Sequence, residues 1–285
     1  MDLYDLNDIH TMTADNILAA DDFFAPQFEA LYKNKPKARY VDFNQGIDSR
    51  LINEENIQKL SEIPIRPLRI AFDHWELRDT YENAVRLAAR HGITHLSNYL
   101  LYNFTDKPIE LYYRMKMNVN LCEELGISIY SFPMKYHPIQ DSRYFRERTY
   151  LGEHWNRKFI RSVQAILNST KGKIGRGKSF FEEAFGADER GFWERMYMPE
   201  AMIIYRFHYK ENGIEPQWWE DFNNLSRAKK KQLMKIVEAN DFDDIGSLTS
   251  DDDILSVLRY YTITRDDYES KGNEVILSKR RNEVS

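Results

Sequence analysis

The sequence predicts an α/β chain, in which a parallel sheet with right-handed crossovers, either doubly wound or part of a barrel, is followed by a mainly helical region. Three observations predict it. Short apolar, β-rich runs fall around Ile9 and over Tyr40 to Phe43, Leu68 to Phe72, Leu96 to Phe104 and Ile127 to Met134. They recur about every 30 residues, the length of one strand-plus-helix unit. The segments between them carry helical period and punctuation, and beyond Ile139 the rhythm stops and helical segments dominate.

Taken in order, Asp21 is placed to cap a first helix with Phe24, Phe28 and Leu31 on one face. Asn53 is placed to cap a second, with Ile52 and Ile57 as a hydrophobic staple and Leu60 following. A third carries Tyr81, Ala84, Val85 and Ala88 and ends before Gly92. A fourth starts at Pro108 and runs through Tyr112, Met115, Val119 and Cys122 to Gly126. Five further helical segments follow: His154 to Asn168, Phe180 to Phe185, Trp218 to Leu225, Ala228 to Ala239 and Asp253 to Tyr261. The expected organisation is a βα region over 1–139, a helical region over 140–272 and a disordered tail over 273–285, with the boundary near Gln140.

The chain has 285 residues, 42% of them hydrophobic, and a formal net charge of -5. That length buries a sizeable core without a disulfide or metal staple. Cys122 is the only cysteine, which excludes an internal disulfide, a cysteine-only zinc site and an iron–sulfur cluster held by three thiolates of this chain. No stretch approaches the roughly 18 uninterrupted apolar residues of a membrane span, and the acidic opening MDLYDLNDIH is unlike a signal peptide. The expectation is a cytoplasmic protein with no membrane partner.

In parallel α/β sheets the chemistry collects where strands end and helices begin. The polar residues at those ends are Asp15 and Asn16; Asn44, Gln45, Asp48 and Arg50; Asp73 and His74; Asn103 and Asp106; Lys135 and Tyr136. Each has an ordinary reading as a turn or cap residue. Gly172 to Ser179, GKIGRGKS, satisfies the phosphate-loop pattern, with Lys178 for the outer phosphates and Ser179 for magnesium. The segment before it, FIRSVQAILNSTK, has helical rather than strand spacing, against the strand such a loop requires. Between Arg143 and Lys178 ten Lys or Arg face two Glu, interleaved with Tyr144, Phe145, Tyr150 and Trp155. This is a candidate nucleic-acid face, whose binding would be lost on neutralising Arg157, Lys158 and Arg161, or else a solvated surface balanced by the acidic stretch Asp241 to Glu269. His91 and His95 are separated by Gly92 and a βα boundary, against a metal pair.

The blocks YVDFNQGIDSRL, LRIAFD, NYLLYNFTDKPIELYYRM, IYSFPMKYHPI, SFFEEAFG and MPEAMIIYR, in that order, resemble the radical S-adenosylmethionine (radical SAM) proteins from about Asp8 to about Arg206. The resemblance implies a partial (β/α)6 TIM-like barrel lacking its first βα unit. It implies S-adenosylmethionine and a [4Fe-4S] cluster as cofactors of the parent enzyme, which would cleave S-adenosylmethionine reductively to a 5'-deoxyadenosyl radical for hydrogen abstraction. By position it assigns cofactor or substrate contacts to Asp15, Asn16, Asn44, Gln45, Arg50, Asp73, Tyr102 and Asn103. The CxxxCxxC loop that holds the cluster in that family is absent. The expectation is therefore the C-terminal portion of a longer enzyme, inactive alone, arising from an internal start, a split gene whose upstream polypeptide carries the cluster loop, or an incomplete record, with a stand-alone relic that has lost the cluster as the second explanation. The alternatives are a cluster-less nucleotide- or nucleic-acid-binding barrel and a phosphate-loop hydrolase.

Overall fold

The computed structural model describes residues 40–43, 46–138, 140–141, 146, 149–170, 174, 177–264 and 267, with the backbone of 11–12. The run around Ile9 and the helix expected from Asp21 lie outside the described residues, as does the tail over 273–285. The chain divides into two compact units, 1–154 with 172–183, and 155–171 with 184–285.

The first unit is α/β, and its described strands pair in parallel. β1 (Thr11–Met12) lies beside β2 (Asp42–Phe43), with Thr11 opposite Asp42. β3 (Leu68–Arg69), β4 (His95–Tyr102) and β5 (Ser128–Lys135) form a three-stranded sheet in chain order. Single parallel bridges join Val41 to Ile65 and Ile47 to Ile70. The run expected over Leu68–Phe72 thus contributes two ladder residues and a bridge, because its later residues turn toward the loop that opens at Asp73.

Among the described residues, helices fill the intervals after β2, β3 and β4. In α1 (Glu54–Ser61) the Asn53 side chain accepts from the Asn56 N–H at 2.9 Å, and Ile57 and Leu60 are buried. In α2 (Arg78–Arg90) Tyr81, Ala84, Val85 and Ala88 form the buried stripe. α3 (Pro108–Leu125) opens with proline, and the Glu110 carboxylate accepts from the Lys107 N–H at 2.8 Å. It stops at Gly126, whose φ of 66° is the left-handed conformation that a side chain disfavours.

One face of the sheet is the core. Leu68, Leu96, Leu100 and Ile129 are at most 1% exposed, and each contributes roughly 1.5–3 kcal/mol by leaving water. The same face carries a polar seam in which Asn98 donates to the Tyr81 hydroxyl at 2.8 Å and Asn118 donates to Ser131 Oγ at 2.7 Å. Cys122 is wholly buried beneath it, its sulfur accepting from the Ile129 N–H at 3.1 Å. On the surface, Arg86 of α2 joins Glu82 and Glu124 at 2.6 Å each. Its side chain keeps about a third of its exposure (32%), so Arg86→Ala is expected to lose under about 1 kcal/mol, read as a small shift in urea midpoint.

The chain returns to this unit over 172–183. Ile174 forms an antiparallel bridge with Ser131, which partners one point on the outer edge of β5. α5 (Lys178–Phe185) follows.

The second unit is helical. α4 (Arg157–Ser169) is capped by Asn156, whose side chain accepts from the Phe159 N–H at 2.8 Å. It packs on α6 (Glu189–Tyr197), α7 (Glu200–Ile204) and α10 (Arg227–Ala239). α8 (Arg206–Glu211) leads into α9 (Ile214–Asn224), and α11 (Ile245–Leu248) precedes α12 (Asp252–Leu258), which packs on α9 and α10. Trp218, Phe222, Leu233, Val237, Ile254 and Val257 are the buried centre. α6, α7 and α8 were not among the expected helices. α7 and α8 have five and six residues, too few to show a repeating stripe, and α6 carries Gly191 and Arg195 among its apolar positions.

Candidate ligand-binding site

In a strand alternate residues point to opposite faces. With Leu96, Asn98 and Leu100 turned to the helices, Ser97, Tyr99 and Leu101 look the other way, beside Arg69 on β3 and Tyr130, Phe132 and Met134 on β5. This second face is half exposed, with Tyr130 at 44% and Met134 at 48%. Arg69 holds both oxygens of Asp42 at 2.8 Å, donates to Ser97 Oγ at 3.1 Å and lies 5.7 Å over the Tyr99 ring. The hydrogen-bonded Asp42 carboxylate raises the Arg69 pKa above its ordinary value despite partial burial. Tyr99 in turn meets Phe132, ring to ring, at 5.9 Å. The result is a largely buried charge pair, with side chains 14% and 21% exposed, next to the Tyr99 ring on the face of the sheet turned away from α2 and α3.

The strand ends are tied from below by Arg114 of α3. This guanidinium is 0% exposed. Nη1 donates to the carbonyls of Phe72 at 3.1 Å and Asp73 at 2.8 Å, and Nη2 to the carbonyl of Leu101 at 2.8 Å and to Asp106 Oδ2 at 3.1 Å. Burial lowers its pKa, and the nearby carboxylates Asp106, Asp73 and Glu110 oppose that shift. Asp106 also accepts from the Phe104 N–H at 3.0 Å.

Of the expected site residues, Asp15, Asn16, Asn44 and Gln45 lie outside the described residues. Arg50 is exposed on a 3-10 turn (Ser49–Leu51) and pairs with Asp48 at 2.5 Å, a hydrogen bond that holds the Asp48 pKa below its ordinary value. Asp73 stands partly exposed at the end of the β3 run, its carbonyl held by Arg114. Tyr102 falls on the helix side of β4 and is 2% exposed. Burial, aided by the Asp106 charge, pushes its hydroxyl pKa well up. Asn103 is fully buried at φ 69°. Its amide donates to the carbonyls of Tyr136 at 3.0 Å and Tyr150 at 3.1 Å, and its oxygen accepts from the Gly152 N–H at 2.9 Å. Asn103 therefore braces the rim. Sequence reading passed over the Asp42–Arg69 pair and Arg114, although Arg69 is a lone cation inside an apolar strand and Arg114 sits among buried positions of α3.

The [4Fe-4S] cluster that the resemblance implies does not fit these residues. Cys122 offers a single sulfur, buried and already hydrogen-bonded, where such clusters are held by several thiolates. Among the described residues no group of three His, Cys, Asp or Glu could hold a metal ion. His91 pairs with Glu54 at 2.6 Å and His95 with Arg66 at 2.7 Å, so the two histidines face different partners.

The remaining motifs resolve as follows. Helix α4 precedes the phosphate-loop pattern, and Ile174 within it bridges β5. The Lys178 N–H points to the Glu123 carboxylate at 3.2 Å, an anion that competes with a phosphate there. The basic stretch Arg143 to Lys178 spans both units. Of its core, Lys158 is buried and Arg161 is paired with Glu200 at 2.5 Å, which leaves less free positive charge than the sequence promises. Among the described residues no helix is long and apolar enough to cross a membrane. Searched against protein-family models, curated proteins and solved structures, the chain matches none.

Proposed function

We propose that the first unit has a radical SAM-type βα architecture that binds S-adenosylmethionine on the sheet face turned away from α2 and α3, and that this chain performs no radical chemistry by itself. The observation that carries the reading is the Asp42–Arg69 pair at 2.8 Å beside Tyr99 and Phe132, on the side of the sheet opposite its helices. The parallel pairing of β3, β4 and β5 in chain order supports the barrel, because a singly wound sheet keeps one face free of helices. In this reading Arg69 meets the ligand carboxylate, Asp42 meets its ammonium group, and the Tyr99 and Phe132 rings take the adenine. S-adenosylmethionine supplies an activated sulfonium centre when bound; the residues here bind and orient it. These 285 residues supply one thiol, Cys122, so a cluster at this site would need cysteines from outside them.

Equilibrium dialysis with radiolabelled S-adenosylmethionine tests this. Arg69→Met is expected to weaken binding at least about tenfold, the value of one charge-assisted hydrogen bond of roughly 1.4 kcal/mol or more. Anaerobic reconstitution of the chain with iron and sulfide is expected to leave no iron–sulfur absorbance. No binding of S-adenosylmethionine by the folded wild-type protein overturns the proposal.

A further inference from the structure

The second unit contains a cleft that the sheet-face site does not use. It measures ≈ 430 Å³, and Lys158, Glu200, Ile204, Asn240, Phe242 and Tyr261 are among its lining residues. Lys158 is 1% exposed. Its Nζ donates to the Met198 carbonyl and stands 5.8 Å from the centre of the Tyr261 ring. One carbonyl oxygen and one ring face do not replace the water shell of an ammonium ion. Of the charged groups around it, Glu200 on α7 favours the cation and Arg161, one turn along α4, opposes it, both with less effect than burial. Tyr261, from the 3-10 turn Arg259–Thr262, is buried and its own hydroxyl pKa is driven up, so it brings no negative charge. Burial accordingly pushes the Lys158 pKa down to about 7.

We propose that Lys158 is the nucleophile of an imine-forming site, and that the cleft takes a small aldehyde or ketone with a flat apolar body. The aromatic walls Phe242 and Tyr261 suit the body of such a compound, and Glu200 and Asn240 offer polar contacts. The Nζ lone pair attacks the carbonyl carbon, the C=O bond gives way to C=N, and the oxygen leaves as water with both amine protons. No oxidant or reductant is consumed. A solvated lysine with a pKa near 10.4 is neutral in roughly one molecule in 2,500 at pH 7, so the buried amine holds a large advantage in reactive fraction.

The test is reductive trapping. Wild-type protein is incubated at pH 7 with benzaldehyde at one equivalent and sodium cyanoborohydride, and the modified lysines are located by peptide mass spectrometry. Lys158 is expected to carry the first adduct, at least tenfold above the mean of the other lysines. Ile204→Trp, a change at a cleft residue that is 40% exposed, is expected to suppress that adduct alone. A second readout uses stability. The unfolded lysine holds its proton up to about 10.4 while the folded one releases it near pH 7, so stability should rise with pH across that window. Lys158→Met, checked for folding by circular dichroism, should flatten the rise. Labelling confined to the other lysines, or of Lys158 only in denaturant, overturns the proposal.

Discussion

Arg114→Ala is expected to lose about 3–5 kcal/mol of unfolding free energy, the range for breaking a buried ion pair by removing one partner. The reason lies in what the guanidinium leaves behind. Asp106 stays buried at 6% exposure without its cation, and the carbonyls of Phe72, Asp73 and Leu101 lose a shared donor. Total stabilities of about 5–15 kcal/mol make this a large fraction of what holds a domain together. Arg114→Lys should recover little, because a single ammonium cannot span three carbonyls and a carboxylate from one planar fork. Asp106→Asn separates the charge from the geometry. It keeps an oxygen for the Phe104 N–H and removes the uncompensated negative charge, so Arg114→Ala with Asp106→Asn should lose less than the two single losses added together. Urea denaturation of the four proteins measures this. Additive losses would mean that the pair does not act as a unit.

The predicted effect also marks the limit of pattern reading. Hydrophobic period placed α2 and α3 because Tyr81, Ala84, Val85, Ala88, Tyr112, Met115, Val119 and Cys122 are buried on one stripe each. Caps were legible for an equally local reason. Asn53, Pro108 and Gly126 act within a turn of their own position, so neighbouring residues suffice to interpret them. Arg114 carries no such signal. Apart from the Glu110 carbonyl one turn back, its partners lie 8 to 42 residues away in the chain, and only the fold brings them together. Lys158 failed for the opposite reason. Flanked by Arg157 and close to Arg161, it reads as part of a solvated basic face. Yet α4 buries Lys158, Ser162 and Leu167 along with Phe159, Val163 and Ile166, so the helix has much less free surface than its charges suggest. The strand-end rule of parallel sheets gathers Asp73, Tyr102 and Asn103 around the ends of β3 and β4. It could not tell Asp73, at the rim, from Tyr102 and Asn103, which the alternation of β4 and the turn after it send inward.

Asn103→Ala is expected to lose about 3 kcal/mol or more, from two sources that can be separated. The first is hydrogen bonding: Gly152 N–H and the carbonyls of Tyr136 and Tyr150 all lose their side-chain partner. The second is backbone strain, because φ is 69° and an alanine there costs roughly 1–2 kcal/mol. Asn103→Gly removes the strain and retains the hydrogen-bond loss, so it should be the more stable of the two variants. Asn103→Asp keeps the acceptor for Gly152 but loses both donors and buries a negative charge beside two carbonyl oxygens, so it should gain nothing over glycine at neutral pH. Loss of the brace should also reach the neighbouring loop. A Cβ at Gly152 would stand 2.4 Å from the Phe104 carbonyl, so that approach tolerates only glycine and depends on the side chain that holds it. Hydrogen exchange at the Gly152 amide is the direct readout. It should be slow in the wild type and fast in Asn103→Ala and Asn103→Gly, and unchanged protection would show that the rim is held by something other than Asn103.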